Sequence, residues 1–340
     1  MARAWFDKRE YGAAWGIRAG RSLALMVGRR AARFLLWPVT AYFFVVARDG
    51  RQGLAAYHAH ITPGGAGLAQ LFHHHLTFAR TILDRTYLLA RHKDAPPYEI
   101  HGFENVEQAL QSGTGAVLLG AHLGSFEAAR AAGFLRPDLK IQVIMHPGIS
   151  RKLNSILAAL HPGAEQSVVT LGGPAALLQV KETLAEGGLV GVMGDRVRAG
   201  EETYEASFLG ETASFPLGPL RLAAALGAPV FFFTALYRRA VDGSCYYELV
   251  FKPLSGPAPP GPLRAAWMRD LGARYVSALE AYCRIAPDNW FNFYDFWQSE
   301  VGRGGRRRTS VDGSREQGRG APTAVGGAGT ATHPEPRRKP

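Results

Sequence analysis

The rhythm of apolar and polar positions changes near Tyr98. Before that residue the apolar positions recur at helical spacings. The run "RFLLWPVTAYFFVVAR" holds fourteen uncharged residues from Phe34 to Ala47, and from Leu54 to His92 ("LAQLFHHHLTFARTILDRTYLLARH" at its centre) apolar residues return every three or four positions, which predicts helix. After Tyr98, short apolar runs alternate with helical segments. Strands are predicted at Gly115 to Gly120, Ile141 to Met145, Leu189 to Met193, Val230 to Leu236 and Tyr246 to Phe251, with helices near Ser125 to Gly133, Ser150 to Leu160, Pro174 to Glu186 and Pro216 to Leu226. Ser125 and Ser150 suit helix N-caps, Pro216 a first turn, and Gly133 and Gly227 helix ends. A helix from Leu263 to Cys283 precedes "APDNWFNFYDFW", an aromatic segment expected to pack back on the domain. Strands and helices in alternation predict an α/β domain with a mixed, largely parallel sheet flanked by helices.

Composition adds organisation. At 340 residues with 47% hydrophobic content, the chain is long enough for one large α/β core. The uncharged run at 34–47 reaches only about 21 Å as a helix, short of a full bilayer span. It has no small-residue cleavage site, so it is not read as a signal peptide. A buried core helix is one reading. The favoured one is a membrane-embedded or interfacial anchor, with Trp37 and Tyr42 at the interface and Arg18, Arg21, Arg29, Arg30 and Arg33 facing anionic headgroups. The expected organisation is thus an N-terminal membrane-associated helical region (1–50), an α/β domain (51–300) and a disordered basic tail (301–340) that has almost no large apolar residues.

The formal net charge of +11 suits an anionic partner such as nucleic acid, a membrane surface or an acidic carrier protein. The basic residues are not interleaved with aromatics along a face as in many nucleic-acid binders. The two cysteines, Cys245 and Cys283, have no metal-like spacing and support neither a disulfide framework nor a zinc site. His73, His74 and His75 would project about 100° apart on a helix and not converge on one ion, so they read as a solvated or interfacial face. No Walker loop and no Gly-x-Gly-x-x-Gly after a strand provide a nucleotide seat. Ser125 lies outside any Gly-x-Ser-x-Gly elbow.

Three segments carry candidate chemistry. In "GAVLLGAHLGSFEAARAAG", His122 follows an apolar run and Glu127 comes five residues later. With 11 His and 28 acidic residues, about one such pair is expected by chance. Inside one regular helix the two side chains would point about 140° apart. A turn at Gly124 and a helix beginning at Ser125 would let the Glu127 carboxylate reach back and orient the imidazole as a general base. A Glu in a first helical turn beside a His bonded to a backbone carbonyl fits the same residues. The second segment, "GGLVGVMGDRVRAG", places Asp195 and Arg196 at a strand end, where open α/β sheets collect ligands. The third, "FLGETASFPLGPLRLAAALGAPV", has Phe215, Pro216 and Gly218 opening a helix whose free N–H groups suit an anionic or carbonyl oxygen.

In this order the segments resemble the lysophospholipid acyltransferase superfamily, and most of all its bacterial lipid A late (lauroyl/myristoyl) acyltransferase branch. The superfamily's Asn-His-x4-Asp block is similar to Ala121-His122-x4-Glu127, its Gly-x-x-Phe-Ile-Asp-Arg block to Gly191 through Arg196, its Phe-Pro-Glu-Gly block to Phe215-Pro216-Leu217-Gly218, and its apolar "Pro" block to Ala228-Pro229-Val230. Glu at the last place of the first block is usual in the lipid A branch. Leu217 stands where a glutamate linked to acceptor binding is common, and the "NWFNFYDFW" ending is similar to that of predicted acyltransferases related to the lipid A branch. The resemblance implies a peripheral or monotopic enzyme on the cytoplasmic face of a bacterial inner membrane. Such an enzyme moves an acyl group from an acyl carrier protein or acyl-CoA thioester to a hydroxyl of a lipid or glycolipid. His122 would be the general base and Glu127 its orienting carboxylate; Asp195, Arg196, Phe215, Pro216 and Gly218 would bind substrate. No metal and no cofactor beyond the acyl thioester co-substrate is implied. A basic face near Arg151, Lys152, Arg238 and Arg239 would dock an acidic carrier. The alternatives are a non-catalytic lipid-binding or membrane-scaffold protein and a glycosyltransferase-like enzyme with Asp195 as a sugar or metal ligand.

Overall fold

The computed structural model describes residues 14–111, 113–126, 128, 139–145, 168–170 and 173–297. The predicted helix at Ser150 to Leu160, most of that at Ser125 to Gly133, Arg151, Lys152 and the tail lie outside these residues. Three helices come first: α1 (Ala14–Val46), α2 (Arg48–Ile61) and α3 (Leu68–Leu89). The single helical stretch expected from Leu54 to His92 is therefore two elements, parted at "TPGG", where Gly64 and Gly65 take positive φ of 80° and 76°.

The sheet elements follow as β1 (Tyr98–His101), α4 (Phe103–Gln111), β2 (Ala116–Gly124), β3 (Ile141–Met145), β4 (Val168–Thr170), α5 (Pro174–Ala185) and β5 (Leu189–Met193). Then come a hairpin of β6 (Thr203–Phe208) and β7 (Glu211–Pro216), α6 (Gly218–Leu226), β8 (Val230–Arg239), β9 (Cys245–Ser255) and α7 (Leu263–Ile285). Seven strands form one sheet in the order β1-β9-β8-β2-β5-β3-β4. All neighbours in it are parallel except β8 and β9, as the alternation of strands and helices predicted. The central strand β2 is covered on both faces, and its side chains alternate accordingly. Val117, Leu119, Ala121 and Leu123 join the core beneath Leu271, Tyr275 and Leu279 of α7. Ala116 and Leu118 join the opposite core with Val106 of α4 and Leu88 of α3. Cys245 and Cys283 are both free thiols and both buried.

The basic flank of α1 differs in part from the expectation. Asp84 of α3 is fully buried and accepts from Arg29 Nε (2.8 Å), Arg29 Nη2 (3.0 Å), Arg33 Nη2 (2.7 Å) and the Tyr247 hydroxyl (3.2 Å). Arg29 and Arg33 therefore face inward and do not face headgroups, because a buried carboxylate requires close counter-charges. The apolar residues of α1 remain at the surface: Met26, Phe34, Tyr42 and Val45 are 83%, 76%, 63% and 70% exposed. Among the described residues no single helix is long and apolar enough to cross a membrane. The pair Gly20–Val46 and Arg48–Ile61 meets that requirement only together, across a 90° bend.

Candidate active site

The site lies at the carboxyl ends of two adjacent parallel strands. β2 and β5 pair in register from Ala116 with Leu189 to Gly120 with Met193. β2 continues past that register, so His122 is the seventh residue of the strand and not part of a loop after it. Its pairing with β8 shifts between Gly120 and Gly124, an irregularity of the kind that re-aims a side chain. Hydrogen bonds hold the displaced end in place. The His122 carbonyl accepts from Phe291 N–H (2.8 Å), the Leu123 carbonyl from the Thr234 hydroxyl (2.8 Å), and Ser125 N–H donates to the Ala235 carbonyl (2.8 Å).

β5 ends at Met193, and Gly194 N–H donates to the Gly120 carbonyl (2.9 Å), which also accepts from the Tyr275 hydroxyl (2.9 Å). This turn carries Asp195 directly under His122. Asp195 is fully buried; its Oδ1 lies 2.9 Å from His122 Nδ1, and its Oδ2 accepts from the His122 backbone N–H (2.9 Å) and Trp290 Nε1–H (3.2 Å). Burial alone would raise the Asp195 pKa. The charge and hydrogen bond of His122, with Arg196 and the His122 backbone N–H, outweigh it and hold the carboxyl at about 2. An ionised carboxylate only accepts, so the imidazole proton sits on Nδ1 and Nε2 carries a lone pair. Burial and the neighbouring Arg196 lower the His122 pKa against the opposing pull of Asp195, which favours the neutral ring. The side chain is 33% exposed, and among the described residues none takes Nε2 as a partner.

Arg196 donates from Nη2 to the Phe291 carbonyl (2.9 Å), and its own pKa is lowered by burial. The aromatic segment packs back as expected. A 3-10 turn at Pro287–Asn289 leads into fully buried Trp290, which makes an antiparallel bridge to Leu123 and packs edge-on against Tyr57, Phe208 and Phe296. Asn289 anchors the turn by accepting from Tyr237 N–H (2.7 Å) and donating to its carbonyl (3.2 Å).

The structure thus brings His122, Asp195 and Arg196 together. Asp195, which the resemblance placed among the substrate-binding residues, is the carboxylate on the imidazole. Glu127 lies outside the described residues. Trp290 was missed as a site residue; its signal was an indole N–H in a buried aromatic run, which requires an acceptor. Phe215 and Pro216 close β7 and do not open a helix; α6 begins at Gly218 behind Leu217, and Phe215 is fully buried between Tyr204 and Tyr275. Leu217 instead lines a groove of about 990 Å³ between the hairpin and α7, with Tyr204, Leu220, Met268 and Val276. The histidine run is not a solvated face: His74 and His75 are 0% and 8% exposed. His75 Nδ1–H donates to the Leu71 carbonyl (2.9 Å), and His73 Nδ1–H donates to Asp288 (2.8 Å).

A carboxylate-backed imidazole whose Nε2 has no partner among the described residues, beside a buried guanidinium at the carboxyl edge of a parallel sheet, is an arrangement suited to group-transfer chemistry. The family model for bacterial lipid A biosynthesis acyltransferases matches residues 75–297, and the chain belongs to that family. It is accordingly an acyltransferase acting on lipid-like acceptors. No curated protein matches the chain.

Proposed function

We propose that the protein transfers a fatty acyl group from an acyl carrier protein or acyl-CoA thioester to a hydroxyl of a lipid A-like glycolipid, at the cytoplasmic face of an inner membrane. The observation that carries the mechanism is the 2.9 Å contact between His122 Nδ1 and Asp195 Oδ1. Nε2 of His122 takes the acceptor's hydroxyl proton while the oxygen attacks the thioester carbonyl carbon. A C–O bond forms, the tetrahedral intermediate collapses, the C–S bond breaks, and the leaving thiolate recovers the proton from Nε2. Asp195 fixes the tautomer and stabilises the transient imidazolium. Glu127, in the family's His-x4-Glu block, adds a second carboxylate for that charge, and substituting each carboxylate separately distinguishes the two. Arg196 contributes positive charge where a phosphate or the oxyanion develops. The Phe215 to Gly218 segment contributes through Leu217 to an apolar wall for an acyl chain. The thioester is already activated, so the transfer calls on no metal or nucleotide. The test incubates purified protein with an acyl thioester and a membrane glycolipid and reads the ester product by mass spectrometry. Thioester consumption that yields only free fatty acid overturns the reading.

A neutral His122 is the active form in this mechanism. Because its pKa is lowered from the ordinary 6.5, kcat/KM is expected to be level at neutral pH and to fall only as pH drops through a midpoint below 6.5. Asp195→Asn removes the charge that opposes this shift and moves the limb to still lower pH. A wild-type midpoint above pH 7 contradicts the assignment.

The apolar face of α1 supports the membrane location, because contiguous exposed apolar surface marks an interaction site. Flotation with anionic vesicles is expected to carry the wild-type protein. The double change Phe34→Glu and Phe43→Glu is expected to weaken binding at least about tenfold, since each aromatic contributes about 1.5–3 kcal/mol when buried. Equal flotation of both proteins removes α1 as the membrane-facing element.

A further inference from the structure

Against the aromatic segment, three metal-ligating side chains from three elements converge. They are His58 of α2, His74 of α3 and Asp288 of the 3-10 turn, whose ligand atoms all lie within 4.8 Å of one another. His58 Nε2 is 3.1 Å from His74 Nδ1, and Asp288 Oδ1 is 3.7 Å from the former and 3.9 Å from the latter. Both imidazoles are completely buried, and Asp288 sits at the rim with its side chain 22% exposed.

The outer contacts turn lone pairs of His74 and Asp288 inward and offer His58 an outer acceptor for its ring proton. His74 Nε2 faces the Trp290 carbonyl at 3.1 Å; a carbonyl only accepts, so the ring proton is on Nε2 and Nδ1 is bare. His58 Nδ1 lies 3.4 Å from the Thr62 hydroxyl, an acceptor for a proton on that nitrogen. Asp288 Oδ2 accepts from His73 Nδ1–H at 2.8 Å, while Oδ1 is buried and has no hydrogen-bond partner among the described residues. Ligating histidines characteristically donate their other N–H to a carbonyl, carboxylate or other fixed acceptor.

We infer that His58, His74 and Asp288 form a binding site for a divalent transition cation, Zn²⁺ above all, which ties α2 and α3 to the segment carrying Trp290 and Phe291. Two imidazole nitrogens and one carboxylate oxygen are a donor set for zinc and unsuited to Mg²⁺ or Ca²⁺. Tetrahedral bonds of about 2.0–2.1 Å place ligand atoms about 3.3 Å apart. The two nitrogens already stand near that separation, and Asp288 closes the remainder by a small side-chain rotation from the exposed rim. Without the ion, one proton on His58 Nε2 bridges the 3.1 Å gap to His74. With it, that proton is on His58 Nδ1 toward Thr62, and the lone pair of Nε2 binds the metal. The role is structural: Trp290 gives its carbonyl to His74 and its indole N–H to Asp195, so the cation holds the platform under the catalytic pair without touching the reacting atoms. Sequence spacing had set the run of three histidines aside as unable to share one ion. They do not share one here; only His74 ligates, and its partners come from 16 and more than 200 residues away.

The test uses full-length protein without an added histidine tag. Elemental analysis of the purified protein is expected to show about one Zn²⁺ per chain. Removal by a chelator is expected to lower Tm and re-addition to restore it. Co²⁺ added to the stripped protein is expected to give the visible absorption of a tetrahedral site. Asp288→Asn and His58→Gln are expected to weaken Zn²⁺ binding at least about tenfold. A change at exposed His101, which lies on β1, leaves it unaltered. Should a buried-histidine variant fail to fold, Asp288→Asn at the rim decides the question alone. Zn²⁺ absent from the purified protein and not taken up at micromolar concentration overturns the site. So does Zn²⁺ binding by Asp288→Asn at wild-type affinity. The readout is metal content and Tm, so its failure is separate from any failure of the acyl-transfer proposal.

Discussion

Asp195→Asn and His122→Ala are each expected to lower acyl transfer about 10²–10⁴-fold, the range for losing a positioned general base, while Tm changes far less. The two changes act by different routes. His122→Ala removes the proton acceptor. Asp195→Asn keeps the size of the side chain and an oxygen that still accepts from the His122 backbone N–H and Trp290 Nε1–H, now 2.9 Å and 3.2 Å away. Its amide nitrogen then faces Nδ1 and donates to it. The ring proton moves to Nε2, the atom required to take the acceptor's proton, and the imidazole is held in the inactive tautomer. The double variant is expected to be little worse than either single one, because the residues act as a unit. The measurement is turnover with saturating acyl thioester and a lipid acceptor, alongside thermal melting. Rates within about threefold of wild type for either variant at unchanged Tm defeat the base assignment.

Gly124→Ala is expected to cost on the order of 4 kcal/mol or more, which places it among the exceptional single substitutions. Gly124 has φ +77°, and a Cβ there would lie 1.9 Å from the Ala235 carbonyl oxygen and 2.5 Å from its carbon. Both neighbours are main chain of the adjacent strand β8, so no rotamer change relieves the overlap. Separating the strands would break the Ser125 N–H to Ala235 carbonyl bond (2.8 Å) beside His122. Total stability is typically 5–15 kcal/mol, so the variant is expected to yield little folded protein. Gly113→Ala is the control: φ is +82° there too, but among the described residues nothing lies within 4 Å of the added Cβ, and about 1 kcal/mol is expected. The comparison is made by chemical denaturation and soluble yield. A Gly124→Ala protein as stable as Gly113→Ala shows that the β2–β8 contact yields easily.

Much of the sheet was legible. Ile141–Met145 and Leu189–Met193 match the predicted strands residue for residue, because strands buried on both faces read as continuous apolar runs. β1 and β4 were not legible, since four and three residues carry too little pattern and are defined by a partner strand. The β6–β7 hairpin was also missed. Its turn uses Leu209 at φ 54° before Gly210 at φ 90°, and leucine is a poor signal for a positive-φ position. The two arginines on Asp84 were read as membrane-facing because an amphipathic helix shows its own charges but not the carboxylate of a helix packed beside it.

The same limit explains the site. Sequence by itself determined the α/β class, the acyltransferase family, and the blocks containing His122, Asp195 and Arg196, because local periodicity and motif order are properties of the chain alone. It also marked Gly124 as a turning point. Only the tertiary structure decided which described carboxylate the imidazole meets. Within a local window the only acid available to His122 was Glu127, five residues on. The pairing with Asp195 spans 73 residues and exists because β2 and β5 lie side by side, β2 overruns its register, and Gly194 turns the chain beneath it. The histidine cluster with Asp288 and the Trp290 platform likewise depend on helices and a terminal segment that no periodicity places together. Strand order is set by packing across the whole sheet, and the side chains it brings into contact have no signature in sequence spacing.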